Sequence, residues 1–425
     1  MSEFSHDPSE YIRGIQQILI SDKKKIGFLF GAGSSLTKKN EKSLTVPAIE
    51  KLTQDIVTEL GGEEAKYKKA FNEIEEELGS NKFNIETILS NLEQKALFIG
   101  SATLNSLNKQ EFEDLICKIK KGIRDKVSVH LKDGSIVDKD TVVELVQTDF
   151  ANWIGQAERK FPIEIFTTNY DFLFELGLEH KEIAYYDGFC GSLRPFFNPE
   201  SVEDFSFLTN QTKLWKIHGS LGWHFDKDTE KILRVNPDDK DILIYPSTLK
   251  YKDSKKQPYE SLLDRLSNFL KQDDAILITC GYSWGDEHIN SRIISALKTN
   301  TTSHVIGLFY DKYDPINEDS AVVKMANENP KISLYASKSA VIGCKYGEWL
   351  LKSEPTPDDT VSLNLYFDED AHFDSNDELG EEKKGKEIWT GKGAFILPDF
   401  GKLVSFLNSM VNENEIKKLG ENVKK

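Results

Sequence analysis

Cysteine is scarce in this sequence: four residues, Cys117, Cys190, Cys280 and Cys344, in a chain of 425. They lie far apart, so no pair has the spacing of a zinc knuckle or a redox dithiol. The expectation is free thiols in a reducing compartment, with no zinc. Long apolar runs are missing too. None approaches the roughly 20 residues that a membrane helix needs. The opening MSEFSHDPSE is polar and has no secretory apolar core. These absences point to a cytoplasmic protein. Positive charge is in deficit, 54 Lys and Arg against 70 Asp and Glu, for a formal net charge of −16. Such an excess repels phosphates at long range and argues against direct nucleic-acid binding. Hydrophobic residues still make up 39%, enough for a packed core. The length suits one large α/β domain with an attachment.

Periodicity supplies the elements. Ile12, Ile15 and Leu19 recur at helical spacing. Ile26-Gly27-Phe28-Leu29-Phe30 is short, apolar and followed by glycines, as in a buried parallel strand. Pro47 can open the next helix and Gly61 close it, with Ile49, Leu52, Ile56 and Leu60 on its inner face. Further helices are predicted over Ile85 to Leu97, Glu111 to Ile123 and Thr141 to Arg159. This helical stretch, about 45–160, reads as an insertion between the first two strands. Strands are then predicted at Ile163–Phe166, Leu214–Ile217, Ile242–Tyr245, Ala275–Thr279 and His304–Phe309, with helices over Tyr259–Leu270 and Glu287–Leu297. Alternation of this kind implies an α/β fold with a doubly wound, Rossmann-like parallel sheet.

Several polar motifs sit at the carboxyl ends of these strands, where such sheets bind ligands. Gly31-Ala32-Gly33-Ser34 lets backbone N–H groups approach a pyrophosphate, though it also reads as a purely structural turn. Thr167-Thr168-Asn169-Tyr170-Asp171 places an Asn and an Asp two apart at a strand end. An Asx turn capping the following helix accounts equally for Asp171. His218, before Gly219 and Ser220, also follows a buried strand, and an imidazole there can act as a base. His224 and His288 lack that placement. In Gly281-Tyr282-Ser283-Trp284-Gly285-Asp286 the Gly and Ser can contact ribose or phosphate, and Asp286 can cap the next helix.

Taken in order, these motifs resemble the Sir2 family over about Ile12 to Tyr346. Thr167–Asp171 and Cys280–Asp286 look like the versions found in bacterial Sir2-like NAD hydrolases of antiphage defence. Two departures separate the chain from the deacetylase branch. No four-cysteine zinc spacing exists, and Leu36–Lys42 does not match the acidic-Phe-Arg segment. The resemblance implies NAD as substrate, with cleavage to nicotinamide and ADP-ribose. It implies that Gly31, Ala32, Gly33 and Ser34 cradle the phosphates and that Asn169 orients the nicotinamide ribose or the attacking water. Asp171 would face the carboxamide and His218 would serve as general base. Thr168, Gly219, Gly281, Tyr282, Ser283 and Asp286 complete the expected NAD contacts. An NAD-dependent protein deacylase and a non-catalytic NAD or ADP-ribose sensor are the alternatives.

The division expected from composition is a Sir2-like domain over 1–350 and an acidic appendage with a final helix over 351–425. The appendage carries Tyr366, Phe367, Phe373, Trp389, Phe395 and Phe400 among polar residues. Aromatics in that setting suit an interface core, or the packing of the tail onto the main domain. A homo-oligomer is expected, and a HerA-type ATPase is a candidate partner by analogy with the family's defence systems.

Overall fold

A computed structural model describes residues 4–226, 228–236, 243–244, 257–312, 314–356, 367–368 and 390–411. The chain is mixed α/β, with a large and mostly parallel sheet consistent with a Rossmann-like fold. It divides into two compact units. One comprises residues 1–30, 149–165 and 266–425, and the other 31–148 and 166–265.

In the first unit the strands lie in the order Ser5–His6, Lys345–Trp349, Ser339–Ile342, Ile332–Tyr335, His304–Leu308, Ala275–Cys280 and Lys25–Phe30. The last four are parallel, with Ile276 opposite Ile26 and Cys280 opposite Phe30. Most of their side chains are apolar on both faces because both faces are covered. Phe28 and Phe30 point one way, onto Phe150 at 5.2 Å and, for Phe28, Trp153 at 5.8 Å. Phe400 of the helix Phe400–Ser409 meets Phe30 at 5.1 Å. Gly27 points the other way, where an added Cβ would lie 2.7 Å from the Phe269 ring. The glycine is what allows the helix Tyr259–Leu270 to bring Phe269 against the sheet.

Three of the six tail aromatics are buried in this unit. Phe367, Phe395 and Phe400 are 1%, 1% and 2% exposed, and Phe395 stacks on Trp349 at 4.9 Å. These three pack the tail onto its own unit and are not presented to a partner. Tyr366, Phe373 and Trp389 lie outside the described residues. No helix among the described residues is long and apolar enough to cross a membrane.

The second unit contains the long helices Ile49–Glu63, Ala65–Leu78, Ile85–Phe98 and Lys109–Val127. Their inner faces, including Leu52, Ile56, Phe71, Ile74, Ile88, Leu92, Phe112, Leu115 and Ile119, form one core. Asn84 and Asn108 start two of these helices with reciprocal capping boxes to Thr87 and Glu111. Strand Thr212–Lys216 runs parallel to Tyr185–Tyr186. Four short antiparallel strands form a separate sheet in the order Trp223–Asp226, Lys231–Arg234, Phe196–Phe197 and Phe189–Cys190.

Three sequence expectations need correction. Gly61 does not end its helix, which continues to Glu63 and closes with the Glu64 N–H on the Leu60 carbonyl. The buried stripe of Leu52, Ile56 and Leu60 offsets a glycine penalty of about 1 kcal/mol. The stretch Thr141 to Arg159 is two helices, Lys139–Val143 and Val146–Gln156. At the break, the Thr148 hydroxyl donates to the Val142 carbonyl at 2.6 Å. Leu243–Ile244 is not a strand of the large sheet. It pairs antiparallel with Gly219–Ser220 in a two-stranded ribbon, and Ile242 and Tyr245 lie outside the described residues.

Candidate functional site

The second unit brings the glycine loop and the Asn-x-Asp turn into direct contact. Strand Glu164–Thr167 ends where the Thr167 hydroxyl accepts the Asn169 backbone N–H at 3.1 Å, turning the chain. Asn169 is 8% exposed. Its amide nitrogen lies 3.0 Å from the Gly31 carbonyl, 3.0 Å from Ser34 Oγ and 2.8 Å from Ser35 Oγ. Gly31 offers only a carbonyl there, so the nitrogen and not the oxygen must face the loop. An amide held in this way keeps its carbonyl oxygen as the atom with which it can accept from a ligand.

The hydroxyls give the network a direction. Ser34 Oγ donates to the Gly31 carbonyl at 2.8 Å, and Ser35 Oγ donates to Asp171 Oδ2 at 2.7 Å. Asp171 is the terminal acceptor. Its other oxygen accepts the Leu173 N–H at 3.0 Å, the Asx-turn role expected ahead of helix Leu173–His180. Asp171 is 3% exposed, so both of its oxygens serve the local fold. Gly33 opens a one-turn helix, Gly33–Leu36, with Ala32 before it. Gln147 Nε2 donates to the Ser34 carbonyl at 2.7 Å and holds that turn from the helical side. Thr168 is half-buried beside Asn169.

His218 stands at the neighbouring strand end. The Ile217 N–H donates to the Thr167 carbonyl at 2.9 Å, so strand Thr212–Lys216 finishes level with the Asn169 turn. His218 is half-buried in the tight turn that leads to Gly219–Ser220. Gly219 has φ of 100°, a conformation that calls for glycine.

Beneath this turn is a residue that the sequence reading passed over. Lys216 Nζ donates to the Asp171 carbonyl, to the Tyr170 carbonyl at 3.4 Å and to Glu175 Oε1 at 2.6 Å. Its side chain is 4% exposed. Burial pushes the Glu175 carboxyl up, opposed by the Lys216 charge. The ammonium also lies over the Phe172 ring at 4.7 Å, and His130 meets the same ring edge-on at 4.7 Å. Burial and the Lys216 charge push His130 down to about 4. One signal for Lys216 was available: a single cation within the otherwise apolar Leu214-Trp215-Lys216-Ile217. Ser35 directly follows the glycine-loop motif, and Gln147 carried no signal at all.

The remaining predicted residues belong to the first unit. Gly281, with φ of 64°, follows strand Ala275–Cys280. The Tyr282 hydroxyl donates to Asn290 Oδ1 at 2.9 Å. Asp286 caps helix Glu287–Thr299 through the N–H groups of His288 and Ile289. Ser283 is exposed, and its hydroxyl accepts the Gly285 N–H at 3.3 Å. Among the described residues no group of three His, Cys, Asp or Glu could hold a metal.

Residues 163–329 match the family model SIR2_2, a SIR2-like domain. The matched stretch contains Asn169, Asp171, His218 and the Gly281–Asp286 turn, while the glycine loop at Gly31 lies before it. The match supports the Sir2-like family and NAD-related chemistry. No curated protein matches the chain.

Proposed function

We propose that this protein is an NAD glycohydrolase that cleaves the nicotinamide–ribose bond. The observation that carries the reading is Asn169, locked by its nitrogen onto Gly31, Ser34 and Ser35 at a strand end level with that of His218. In this reaction the bond from C1′ to the pyridinium nitrogen breaks, and its electron pair neutralises the ring. Water forms the new bond to C1′ and gives its proton to His218. The leaving group is already cationic, so the protein's work is to hold the ribose and stabilise an oxocarbenium-like centre. The Asn169 carbonyl oxygen orders a ribose hydroxyl or the attacking water. The Gly31–Ser34 backbone cradles phosphate, and Thr168 and Gly219 line the nicotinamide end, while Asp171 holds the Asn169 turn through Ser35. Uncontrolled NAD loss harms a cell, which favours an effector role in antiphage defence. It also favours control by homo-oligomerisation or by a HerA-type ATPase partner in the cytoplasm.

The test is incubation of purified protein with NAD, with and without an acyl-lysine peptide, following nicotinamide. Release that is independent of the peptide is expected. Release only with the peptide would mean deacylation, and no release from any assembly state would mean a sensor. Light scattering at micromolar concentration tests the assembly: a monomer near 48.3 kDa with full activity would sink it.

A further inference from the structure

The turn that bears Asn169 is stitched to the segment that bears His218. Ile217 N–H reaches the Thr167 carbonyl, and Leu221 N–H reaches the Tyr170 carbonyl at 3.2 Å. Next to the first of these bonds along the strand is Lys216, whose ammonium reaches the carbonyls of both Tyr170 and Asp171. A buried cation needs compensation, and Glu175 provides it. A neutral apolar residue would fill this space without either charge. The arrangement therefore has a consequence beyond packing: two carbonyls on the far side of Asn169 are pinned by a donor from the His218 strand.

We propose that Lys216 is a positioning residue, which fixes the Asn169 turn against the His218 strand by clamping the carbonyls of Tyr170 and Asp171, while Glu175 serves only to balance its charge. The inference rests on the NAD-cleaving reading for its kinetic consequence, but its structural content stands apart from that reading. Misplacement of a reacting group by about 1 Å can reduce rate by about 10²-fold. Loss of the clamp is thus expected to lower kcat more than it alters KM.

The experiment compares full-length Glu175→Gln, Lys216→Met and the double variant Lys216→Met/Glu175→Leu, which removes both buried charges together. Hydrogen exchange is read at the amides of Asn169, Leu173 and Leu221, with those of Lys109–Val127 as the measure of general stability. The double variant should exchange faster at the three turn amides and normally over Lys109–Val127. Its kcat should fall by about 10²-fold, with KM within a few-fold. Glu175→Gln, whose amide oxygen can still accept from Lys216, should lower overall stability but keep the turn amides slow relative to Lys109–Val127 and most of the turnover. Slow exchange at the turn in the double variant overturns the proposal. So does loss of protection over Lys109–Val127 in both Lys216 variants, which would mark a general role in stability. So does a Glu175→Gln variant that behaves like the double one. If the wild-type protein releases no nicotinamide, the NAD-cleaving reading fails, and the exchange measurement alone decides the role of Lys216.

Discussion

Two strand-end turns in this chain carry similar polar residues and are held in opposite ways. The Gly281–Asp286 turn is satisfied locally: Tyr282 bonds Asn290, Asn290 donates to the Trp284 carbonyl at 2.7 Å, and Asp286 caps its own helix. The Thr167–Asp171 turn depends on distant partners. Asn169 bonds Gly31 from 138 residues away, Ser35 bonds Asp171 across 136, and Lys216 bonds Asp171 across 45. A turn held by its own neighbours can be altered with modest, local consequences. One held by a buried network fails as a unit, because each lost partner strands the others without water to replace it.

The sharpest break of that contrast is Asn169→Ala. Nicotinamide release should fall to background with an unchanged circular dichroism spectrum. Turnover within a few-fold of wild type would remove Asn169 from the chemistry. His218→Ala should follow, lowering turnover by about 10²–10⁴-fold with a smaller effect on NAD affinity, as loss of a general base does. Titration calorimetry beside the rate assay separates the two, and loss of affinity instead would make His218 a ligand-holding residue.

The next contrast concerns acid. His130 belongs to the buried surroundings of the Asn169 turn, and its folded-state value near 4 lies below the ordinary 6.5. The unfolded chain then binds the proton more readily between those values. Stability from this group is complete above about pH 6.5 and is lost as pH falls towards 4, by up to about 3 kcal/mol. Denaturant midpoints at pH 7 and pH 5 should therefore differ less in His130→Phe than in wild type. An equal fall in both would show that other groups carry the acid sensitivity.

The smallest effects compare the turns directly. Ser35→Ala leaves Asn169 and Asp171 each short of a buried partner and should cost about 1–3 kcal/mol. Asp286→Ala loses only a helix cap and should cost about 1 kcal/mol. Equal costs in chemical denaturation would remove the distinction between a networked and a self-sufficient turn.

Much of the architecture was legible before the structure. The apolar runs at Ile26–Phe30 and Ala275–Thr279 read as buried parallel strands, and both are. The helices from Ile85 and near Glu111 declared themselves by period, and their Asn caps agree with it. Ile242–Tyr245 misled because four apolar residues state burial but not the neighbour. Its described part, Leu243–Ile244, pairs with Gly219–Ser220.

The sequence by itself determined what depends on near neighbours: the strand and helix periods, the turn chemistry of Asp286, and the presence of polar residues at strand ends. Only the tertiary structure decided that Ser35 bridges Asn169 and Asp171, that Gln147 holds the Ser34 carbonyl, and that Lys216 is a buried donor and not a solvated charge. The physical reason is range. Periodicity and capping act within a few residues, whereas these bonds form only once the fold has brought the strand ends together and removed the water between them.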